Sequence, residues 1–343
     1  NDEQILPLKA SEKIAFIGGF AKKPRFQGGG SSHINCFKIT NALDSVPSDA
    51  QVTYAEGFPA DKDLYDDALA AEAIKTATAA DKVVIFAGLP DSFESEGYDR
   101  SHMRLPECQN RLIAEILKVQ PNTVIVLHNG SPVELPWLND IKGLLEAYLG
   151  GQAGGTAVAN ILYGKVNPSG KLAETMPLKL SDNPSYLNFG GGEKVEYHEG
   201  VFVGYRYYDT KEMGVAYPFG YGLSYTTFAC SDLKISNENP TDKDTITVSV
   251  DVTNTGNMAG KETALVFIRD CVSSVVTPVA CLKGFEKVSL NPGESKDIRI
   301  VIPYSDLGLW NEDMKYVVES GKFNLMIGRS VEDIRIKKDF FIK

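Results

Sequence analysis

The first two thirds of the chain alternate short apolar runs with stretches of helical periodicity. Five of the runs are continuously apolar, which is typical of strands buried on both faces of a parallel sheet. The stretches between them have the composition or apolar spacing of helices. The predicted strands are 13–20, 52–57, 82–90, 122–130 and 143–151, and the predicted helices are 63–80, 105–121 and 151–165. This pattern predicts a doubly wound α/β sandwich domain, with its default site at the carboxyl ends of the strands.

After about residue 225 the apolar period changes to two. Ile246, Val248, Val250 and Val252 fall on one face of a predicted strand, which ends in a turn at Asn254. Further short apolar stretches follow, with turn residues between them. The last part of the chain is therefore predicted to be an antiparallel β-sandwich of about seven strands, of the immunoglobulin or fibronectin III-like kind.

Between these two patterns lies a segment, residues 183–228, that is rich in tyrosine, phenylalanine, glycine and proline. It has neither a helical nor a strand period over its length. Long irregular segments in folded proteins are usually functional or connecting, and the many aromatic residues argue against disorder. The predicted domains are an α/β sandwich at 1–215, an aromatic linker at 216–230 and a β-sandwich at 231–343.

The charge of the chain narrows the classes of partner. Acidic residues outnumber basic ones, 45 to 35, and the net charge is −10. This balance disfavours nucleic acid, whose phosphates are bound by clustered lysine and arginine. No apolar run reaches the roughly 18 residues of a membrane span, and the first residues lack the pattern of a signal peptide. The compartment stays open, with a cytoplasmic location favoured over secretion.

The sequence predicts neither a metal nor a cofactor. The five cysteines are scattered and lack the spacing of a metal site. Free, mostly buried thiols are the favoured interpretation, and a bridge between Cys271 and Cys281 is the alternative. The glycine-rich stretch "IGGFAKKPRFQGGGSS", residues 17–32, lacks the G-x-G-x-x-G and G-x-x-x-x-G-K-[ST] spacings of nucleotide sites.

The stretch "GLPDSFESEGYDRSHMRLP", residues 88–106, carries the candidate chemistry. It follows a predicted strand directly, so it lies at the carboxyl edge of the sheet. A glutamate in a loop beside aromatic residues can serve as a general acid. Glu96 lies between Ser95 and Gly97, two small residues that allow a ligand to approach closely. On this stretch alone, a solvated surface loop is the favoured interpretation.

Longer motifs favour a catalytic loop over a solvated surface loop. The chain resembles the carboxyl-terminal two thirds of family 3 glycoside hydrolases of the β-glucosidase type. The motifs that carry the resemblance are "ESEGYDRSHMRLPECQNRLI" (94–113), "NPSGKL" (167–172), "YPFGYGLSYTTF" (217–228) and "VTNTGNMAGKE" (252–262). The second and third together are highly specific. The resemblance implies a retaining β-glucosidase that removes terminal β-D-glucosyl residues from a β-glucoside or small oligosaccharide.

The resemblance also implies an active site shared between two domains. An aspartate nucleophile would lie on a (β/α)8 barrel, and the general acid/base would lie on a loop of the α/β sandwich. The glutamate of that loop motif aligns with Glu96, and Glu94 is the reserve candidate. A retaining enzyme needs two carboxyl groups about 5–5.5 Å apart, which agrees with such a division.

Other residues of the loop are candidates for contacts with the substrate. Phe93 and Tyr98 could stack on a sugar ring, and Arg100 and His102 lie close to Glu96 in the sequence. For His102 a solvated loop position is the favoured interpretation. Asp99 is expected to form an ion pair with Arg100 that holds the loop.

Two further segments are interpreted through the resemblance. The glycine-rich loop would pack toward the barrel, with Arg25 and Gln27 as polar contacts. The tyrosines Tyr205, Tyr207 and Tyr208 are expected to pack between the two domains rather than to bind sugar.

The barrel and its Ser-Asp-Trp-type nucleophile motif are missing from these 343 residues. We therefore expect a fragment, or one product of a split or processed enzyme, with the barrel either before or after it. The chain alone should be inactive on aryl β-glucosides. The alternative is a non-catalytic carbohydrate-binding or interaction module derived from the same family.

Overall fold

The computed structural model describes residues 1–190 and 192–343, which fold into two units. The first unit comprises Asn1–Val166 and the second Asn167–Lys343. The irregular residues that precede the β-sandwich belong to the second unit. The domain limits predicted from the sequence stay a prediction.

A five-stranded parallel sheet with the strand order β2-β1-β3-β4-β5 forms the centre of the first unit. All five strands and all three helices that the apolar pattern predicts are present, and the predicted doubly wound α/β fold is confirmed. The strands are β1 (Lys13–Ile17), β2 (Gln51–Ala55), β3 (Lys82–Gly88), β4 (Thr123–His128) and β5 (Gly143–Glu146). The helices are α1 (Asp67–Thr78), α2 (Glu107–Leu117) and α3 (Gly154–Leu162).

The sheet is apolar on both faces, which explains why its strands read as continuous apolar runs. On one face Phe16 and Phe86 pack with their ring centroids 4.9 Å apart. On the other face Ile17, Ile85 and Ile125 form one buried cluster with residues of α1 and α2. Fully burying one such side chain contributes about 1.5–3 kcal/mol. The sheet is therefore a rigid base for the loops at its edge.

Aspartates fix the starts of two helices. Asp66 precedes α1 and accepts hydrogen bonds from two N–H groups of its first turn. The carboxylate of Asp63 accepts from the N–H groups of Glu107 and Cys108, both at 2.9 Å, and so caps α2 from outside that helix. Burial alone would raise the pKa of Asp63, but these hydrogen bonds lower it below its ordinary value. Among the described residues no helix is both long and apolar enough to cross a membrane.

The strand order places a topological switch point between β1 and β3. β1 connects to β2 on one side of the sheet, whereas β3 connects to β4 on the other. The connections from β1 and β3 therefore lead to opposite sides of the sheet, and ligands of doubly wound folds bind at such a switch point. The glycine-rich stretch and the loop at 88–106 are these two loops.

The second unit contains a β-sandwich of one three-stranded and one four-stranded antiparallel sheet, as predicted. Their orders are β10-β7-β6 and β14-β13-β8-β9, and β11 pairs with β12 in a separate ribbon. Ile246, Val248, Val250 and Val252 are all buried between the sheets. The strands are β6 (Phe228–Ile235), β7 (Thr245–Asn254), β8 (Gly260–Asp270), β9 (Cys281–Leu290), β10 (Ser295–Pro303), β11 (Leu309–Trp310), β12 (Tyr316–Val317), β13 (Gly321–Gly328) and β14 (Ile334–Ile342).

Aromatic packing orders the segment that has no sequence period. It contains one short helix, α4 (Tyr205–Thr210). The ring of Tyr205 stacks on Phe219 with centroids 4.6 Å apart and meets Phe267 of β8 edge-on at 6.0 Å. Its hydroxyl accepts a hydrogen bond from the N–H of Leu282 at 2.8 Å. Tyr205 therefore packs within the second unit, against the sandwich itself.

A buried carboxylate joins two loops to β8. Glu262 is 2% exposed, and its two oxygens lie 3.0 Å from Lys171 Nζ and 2.8 Å from Arg329 Nε. The ammonium of Lys171 also donates to the carbonyl of Gly222 at 3.0 Å. Burial lowers the pKa of Lys171, and the Glu262 carboxylate opposes that effect. Both cations depend on the same anion, so the Glu262 carboxylate offsets part of the cost of burying each of them.

All five cysteines are free, so the alternative bridge between Cys271 and Cys281 is absent. The thiol of Cys271 lies 3.1 Å from Asn324 Oδ1 instead. The prediction of mostly buried thiols was wrong, because only Cys108 is fully buried and the others are half-buried at strands and loops. Burial raises the pKa of the Cys108 thiol to about 12.

Asp209 of α4 makes the stability of the second unit depend on pH. Burial, and then the nearby charge of Glu332, raise its pKa to about 7, against about 3.9 in an unfolded chain. Because the folded state binds this proton more tightly, the stability that it contributes is present at low pH and is lost as the pH rises toward 7. Asp209→Asn should therefore stabilise the protein at pH 8 by about 1–2 kcal/mol, a value reduced for partial exposure.

Urea unfolding at pH 8 and pH 4 measures this difference. The two proteins should converge at pH 4, where Asp209 is largely protonated in the folded protein. The exposed Asp242→Asn serves as the control and should change neither value. Equal effects of Asp209→Asn at both pH values would contradict the assignment.

Candidate active site

Both ends of the loop at 88–106 are fixed to the first unit. At its start, the buried amide of Gln109 accepts from the N–H of Gly88 and donates to its carbonyl, both at 2.9 Å. At its end, the loop runs into α2, whose first turn is capped by Asp63. The loop is therefore held between β3 and α2, at the carboxyl edge of the sheet.

Arg25, from the loop after β1, binds the middle of this loop. Its side chain is 5% exposed. Nε donates to Asp91 Oδ1 at 3.1 Å, one terminal nitrogen donates to Glu94 Oε2 at 2.6 Å, and the other donates to the Glu94 carbonyl at 2.7 Å. One guanidinium therefore holds both the side chain and the backbone of the loop.

Glu94 is the loop carboxylate with the most hydrogen-bond donors. Besides Arg25, the N–H of Gly130 donates to it at 2.7 Å, and the hydroxyl of Ser131 donates to its other oxygen. Burial alone would raise the pKa of Glu94, but the hydrogen bonds from Ser131, Arg25 and Gly130 lower it below its ordinary value. Glu94 is therefore an ionised anchor that joins the loops after β1, β3 and β4.

Glu96, in contrast, is exposed at the surface of the unit. The N–H of Ser31 donates to its Oε2 at 2.5 Å. Hydrogen bonds from the side chain and the backbone of Ser31 lower its pKa. The backbone of Gly30 has a φ of +81°, and a Cβ at this position would collide with the Cβ of Glu96. Glycine at position 30 therefore allows the two loops to approach closely enough for the Ser31 contact.

The structure brings the other predicted loop residues together only in part. Tyr98 is 49% exposed, and its hydroxyl donates to the carbonyl of Asp91. Phe93 is half-buried against the core and packs edge-on with His102, with ring centroids 5.9 Å apart. A role of these residues in sugar binding stays a prediction.

Arg100 pairs with a different carboxylate from the expected one. Its terminal nitrogen donates to Ser131 Oγ at 2.8 Å and to the Pro132 carbonyl at 3.1 Å, and lies 4.0 Å from Glu94 Oε1. The expected Asp99–Arg100 ion pair was wrong. Asp99 is exposed, and the half-buried carboxylate of Glu94 offers Arg100 a less solvated partner.

Arg25 and Gln27 are bonded within the first unit, whereas the resemblance implies contacts with a barrel. The amide of Gln27 donates to the carbonyl of Ile34 at 3.2 Å and accepts from its N–H at 3.0 Å. This pair closes the glycine-rich loop on itself. The same loop borders an open cavity of about 390 Å³, whose lining includes Arg25, Phe26, Gln27, His33, Ile34 and Asp91.

Sequence reasoning assigned Arg25 to contacts with a barrel rather than to this anchor, and it missed Ser31, Gly130 and Ser131. These four residues lie 36 to 69 positions from their glutamate partners along the chain. The strand order does indicate that these loops meet. Arg25 and Ser31 follow β1, and Gly130 and Ser131 follow β4. Both strands are neighbours of β3, and loops at one edge of a sheet lie close together.

Comparison with known proteins identifies the lineage of this arrangement. The model of the glycosyl hydrolase family 3 C-terminal domain matches residues 1–225, and that of a fibronectin type III-like domain matches residues 262–331. Thermostable beta-glucosidase B of Acetivibrio thermocellus is 52% identical over 344 residues, covering 98% of this chain and 46% of that protein. Exo-alpha-(1->6)-L-arabinopyranosidase of Bifidobacterium longum is 43% identical, covering 97% of this chain and 45% of that protein.

A solved structure shows the same similarity. The family 3 beta-glucosidase of Bifidobacterium adolescentis superposes with a TM-score of 0.95 at 43% identity, covering all of this chain and 51% of that one. The chain thus spans about half the length of the relatives that it matches. The matches extend over both units and include the loop motif. The chain belongs to glycoside hydrolase family 3.

Proposed function

We propose that this chain is the part of a retaining β-glucosidase that supplies the general acid/base, Glu96, while the nucleophile lies on a (β/α)8 barrel outside residues 1–343. The observation that carries the proposal is the contrast between two glutamates of one loop. Glu94 is half-buried and bonded on both oxygens, whereas Glu96 is exposed on the same loop. A second domain can therefore cover Glu96 and bring a sugar to it.

The chemistry needs a carboxyl group that changes its protonation state. In the first step Glu96 would protonate the glycosidic oxygen while the nucleophile attacks the anomeric carbon. In the second step it would take a proton from the water that hydrolyses the glycosyl-enzyme. Glu94 suits neither step, because hydrogen bonds from Arg25, Gly130 and Ser131 to its carboxylate favour the ionised form.

A covering barrel would raise the pKa of Glu96 toward the value that a general acid needs. Its pKa is lowered by Ser31, whereas a general acid needs a pKa near the working pH. A nucleophile carboxylate about 5–5.5 Å away would raise that pKa by like-charge repulsion. Loss of solvent around the carboxyl group would act in the same direction. The required pKa would therefore arise only when the two domains meet.

The substrate class follows from the relatives and is part of the proposal. A β-glucoside is favoured because the relative with 52% identity is named a beta-glucosidase. The relative named an arabinopyranosidase is similar over the same share of this chain. We infer that the missing barrel, rather than this half, selects the sugar.

Completing the chain tests this function. In a chimaera, this chain replaces the matching part of the Acetivibrio relative. We call this chimaera the completed enzyme. It should hydrolyse 4-nitrophenyl β-glucoside, and the chain alone should not. Activity of the chain alone would place a nucleophile inside residues 1–343 and overturn the division. An inactive, folded chimaera, with binding of glucan by the chain alone, would favour a carbohydrate-binding module instead.

A further inference from the structure

The contacts of Arg25 point beyond its own loop. All three guanidinium nitrogens donate to the stretch from Asp91 to Glu94, at distances of 2.6 to 3.1 Å. Glu94 precedes Glu96 by two residues. The guanidinium therefore fixes the backbone of the loop immediately before the proposed acid/base.

Three loops of the sheet edge meet at the Glu94 carboxylate. Arg25 follows β1, Glu94 follows β3, and Gly130 and Ser131 follow β4. Because β1, β3 and β4 are adjacent strands of one rigid sheet, the carboxylate is held from both sides. The carboxylate has little freedom to move as long as both sets of donors are present.

The same loop that carries Arg25 also touches Glu96. Ser31 lies six positions after Arg25, and its N–H donates to the Glu96 carboxylate at 2.5 Å. The glycine-rich loop therefore contacts the loop at 88–106 twice, at Glu94 through Arg25 and at Glu96 through Ser31. A change at Arg25 loosens the first contact and moves the second.

We propose that Arg25 is a positioning residue for the general acid/base: it holds the Glu94 anchor so that the Glu96 carboxyl group is presented toward the leaving-group oxygen. This inference rests on the proposed function of Glu96. Lysine is a poor substitute, because its single ammonium cannot reach a carboxylate, a second carboxylate and a carbonyl in one planar fork.

A positioning role has a kinetic signature that general destabilisation lacks. Misplacing an acid by about 1 Å can cost about 100-fold in rate, but only where the leaving group needs protonation. Arg25→Met in the completed enzyme should lower kcat/KM about 100-fold for methyl β-glucoside, a poor leaving group. It should lower kcat/KM less than about 5-fold for 2,4-dinitrophenyl β-glucoside, which departs without acid assistance. The kcat/KM of Arg25→Lys for methyl β-glucoside should lie between those of the wild type and of Arg25→Met.

Hydrogen exchange of the chain alone provides a readout that does not depend on activity. Arg25→Met should speed amide exchange in residues 91–99 at least about 10-fold and leave β1, β3 and β4 unchanged. Lys23→Met, which removes an exposed cation two positions away, is the matched control and should change neither exchange nor kinetics.

The outcomes separate this inference from the proposed function. An equal loss of kcat/KM on both substrates would show that Arg25 has only a structural role. Unchanged amide exchange in residues 91–99 would show that Arg25 does not hold the loop. Either result would overturn the inference. If Glu96→Ala itself shows no dependence on the leaving group, the function of Glu96 fails, whatever Arg25 does. Selective loss on the poor leaving group together with faster loop exchange is the expected result.

Discussion

Replacing Glu96 by alanine should lower kcat/KM of the completed enzyme for methyl β-glucoside by about 10²–10⁴-fold, the usual contribution of general acid catalysis. The loss arises because the leaving oxygen departs unprotonated. With 2,4-dinitrophenyl β-glucoside the first step should persist, and the glycosyl-enzyme should accumulate because no base activates water. Azide needs no such base, so it should restore turnover and give β-glucosyl azide with retained configuration.

The control for this experiment is another exposed carboxylate of the same loop. Asp99→Asn should leave both substrates within about 2-fold of the wild-type values, since Asp99 is exposed and adjacent to the same motif. Initial rates and NMR of the azide product measure the effect. Rescue of a Glu94→Ala variant, with Glu96→Ala unaffected by azide, would move the acid/base to Glu94.

Replacing Glu262 by alanine should lower the free energy of unfolding of the second unit by about 3–5 kcal/mol. The change leaves Lys171 and Arg329 partly buried without the anion that both face. The N–H of Thr263 also loses its acceptor, 2.9 Å away. Urea denaturation followed by circular dichroism measures the loss.

Two further variants separate the charge cluster from simple loss of volume. Glu286→Ala removes an exposed carboxylate from the neighbouring strand β9 and should cost less than about 0.5 kcal/mol. The triple variant Lys171→Met, Glu262→Leu, Arg329→Met should recover much of the stability, because apolar replacement of a whole buried cluster is often tolerated. A cost below about 1 kcal/mol for Glu262→Ala would contradict the account of the cluster.

The sequence predicts most of the fold because its signal is local. Short continuous apolar runs rich in valine and isoleucine, such as 122–130, favour a strand buried on both faces, and the alternation at Ile246 to Val252 favours a half-buried one. The segment around Tyr205 has no such period. Its order comes from contacts with Phe219 and Phe267, which no local pattern encodes.

The candidate site is likewise predictable from the sequence only in part. The position of the loop at 88–106 follows from the strand before it, and the loop motif identifies Glu96. The strand order indicates that the loops after β1 and β3 meet, but no local pattern shows that Arg25 contacts Glu94, 69 positions away. The ranking of Glu96 before Glu94 rests on the motif alone, because no local pattern shows how the environments of the two side chains differ. Burial and hydrogen-bond donors distinguish them, and both are tertiary properties.

We expect this chain to hold one of two catalytic carboxyl groups. Treating the completed enzyme with 2,4-dinitrophenyl 2-deoxy-2-fluoro-β-glucoside traps the glycosyl-enzyme, and peptide mass spectrometry then locates the attached sugar. The label should lie on a carboxylate of the barrel, with none on residues 1–343. A labelled carboxylate within residues 1–343 would contradict this expectation.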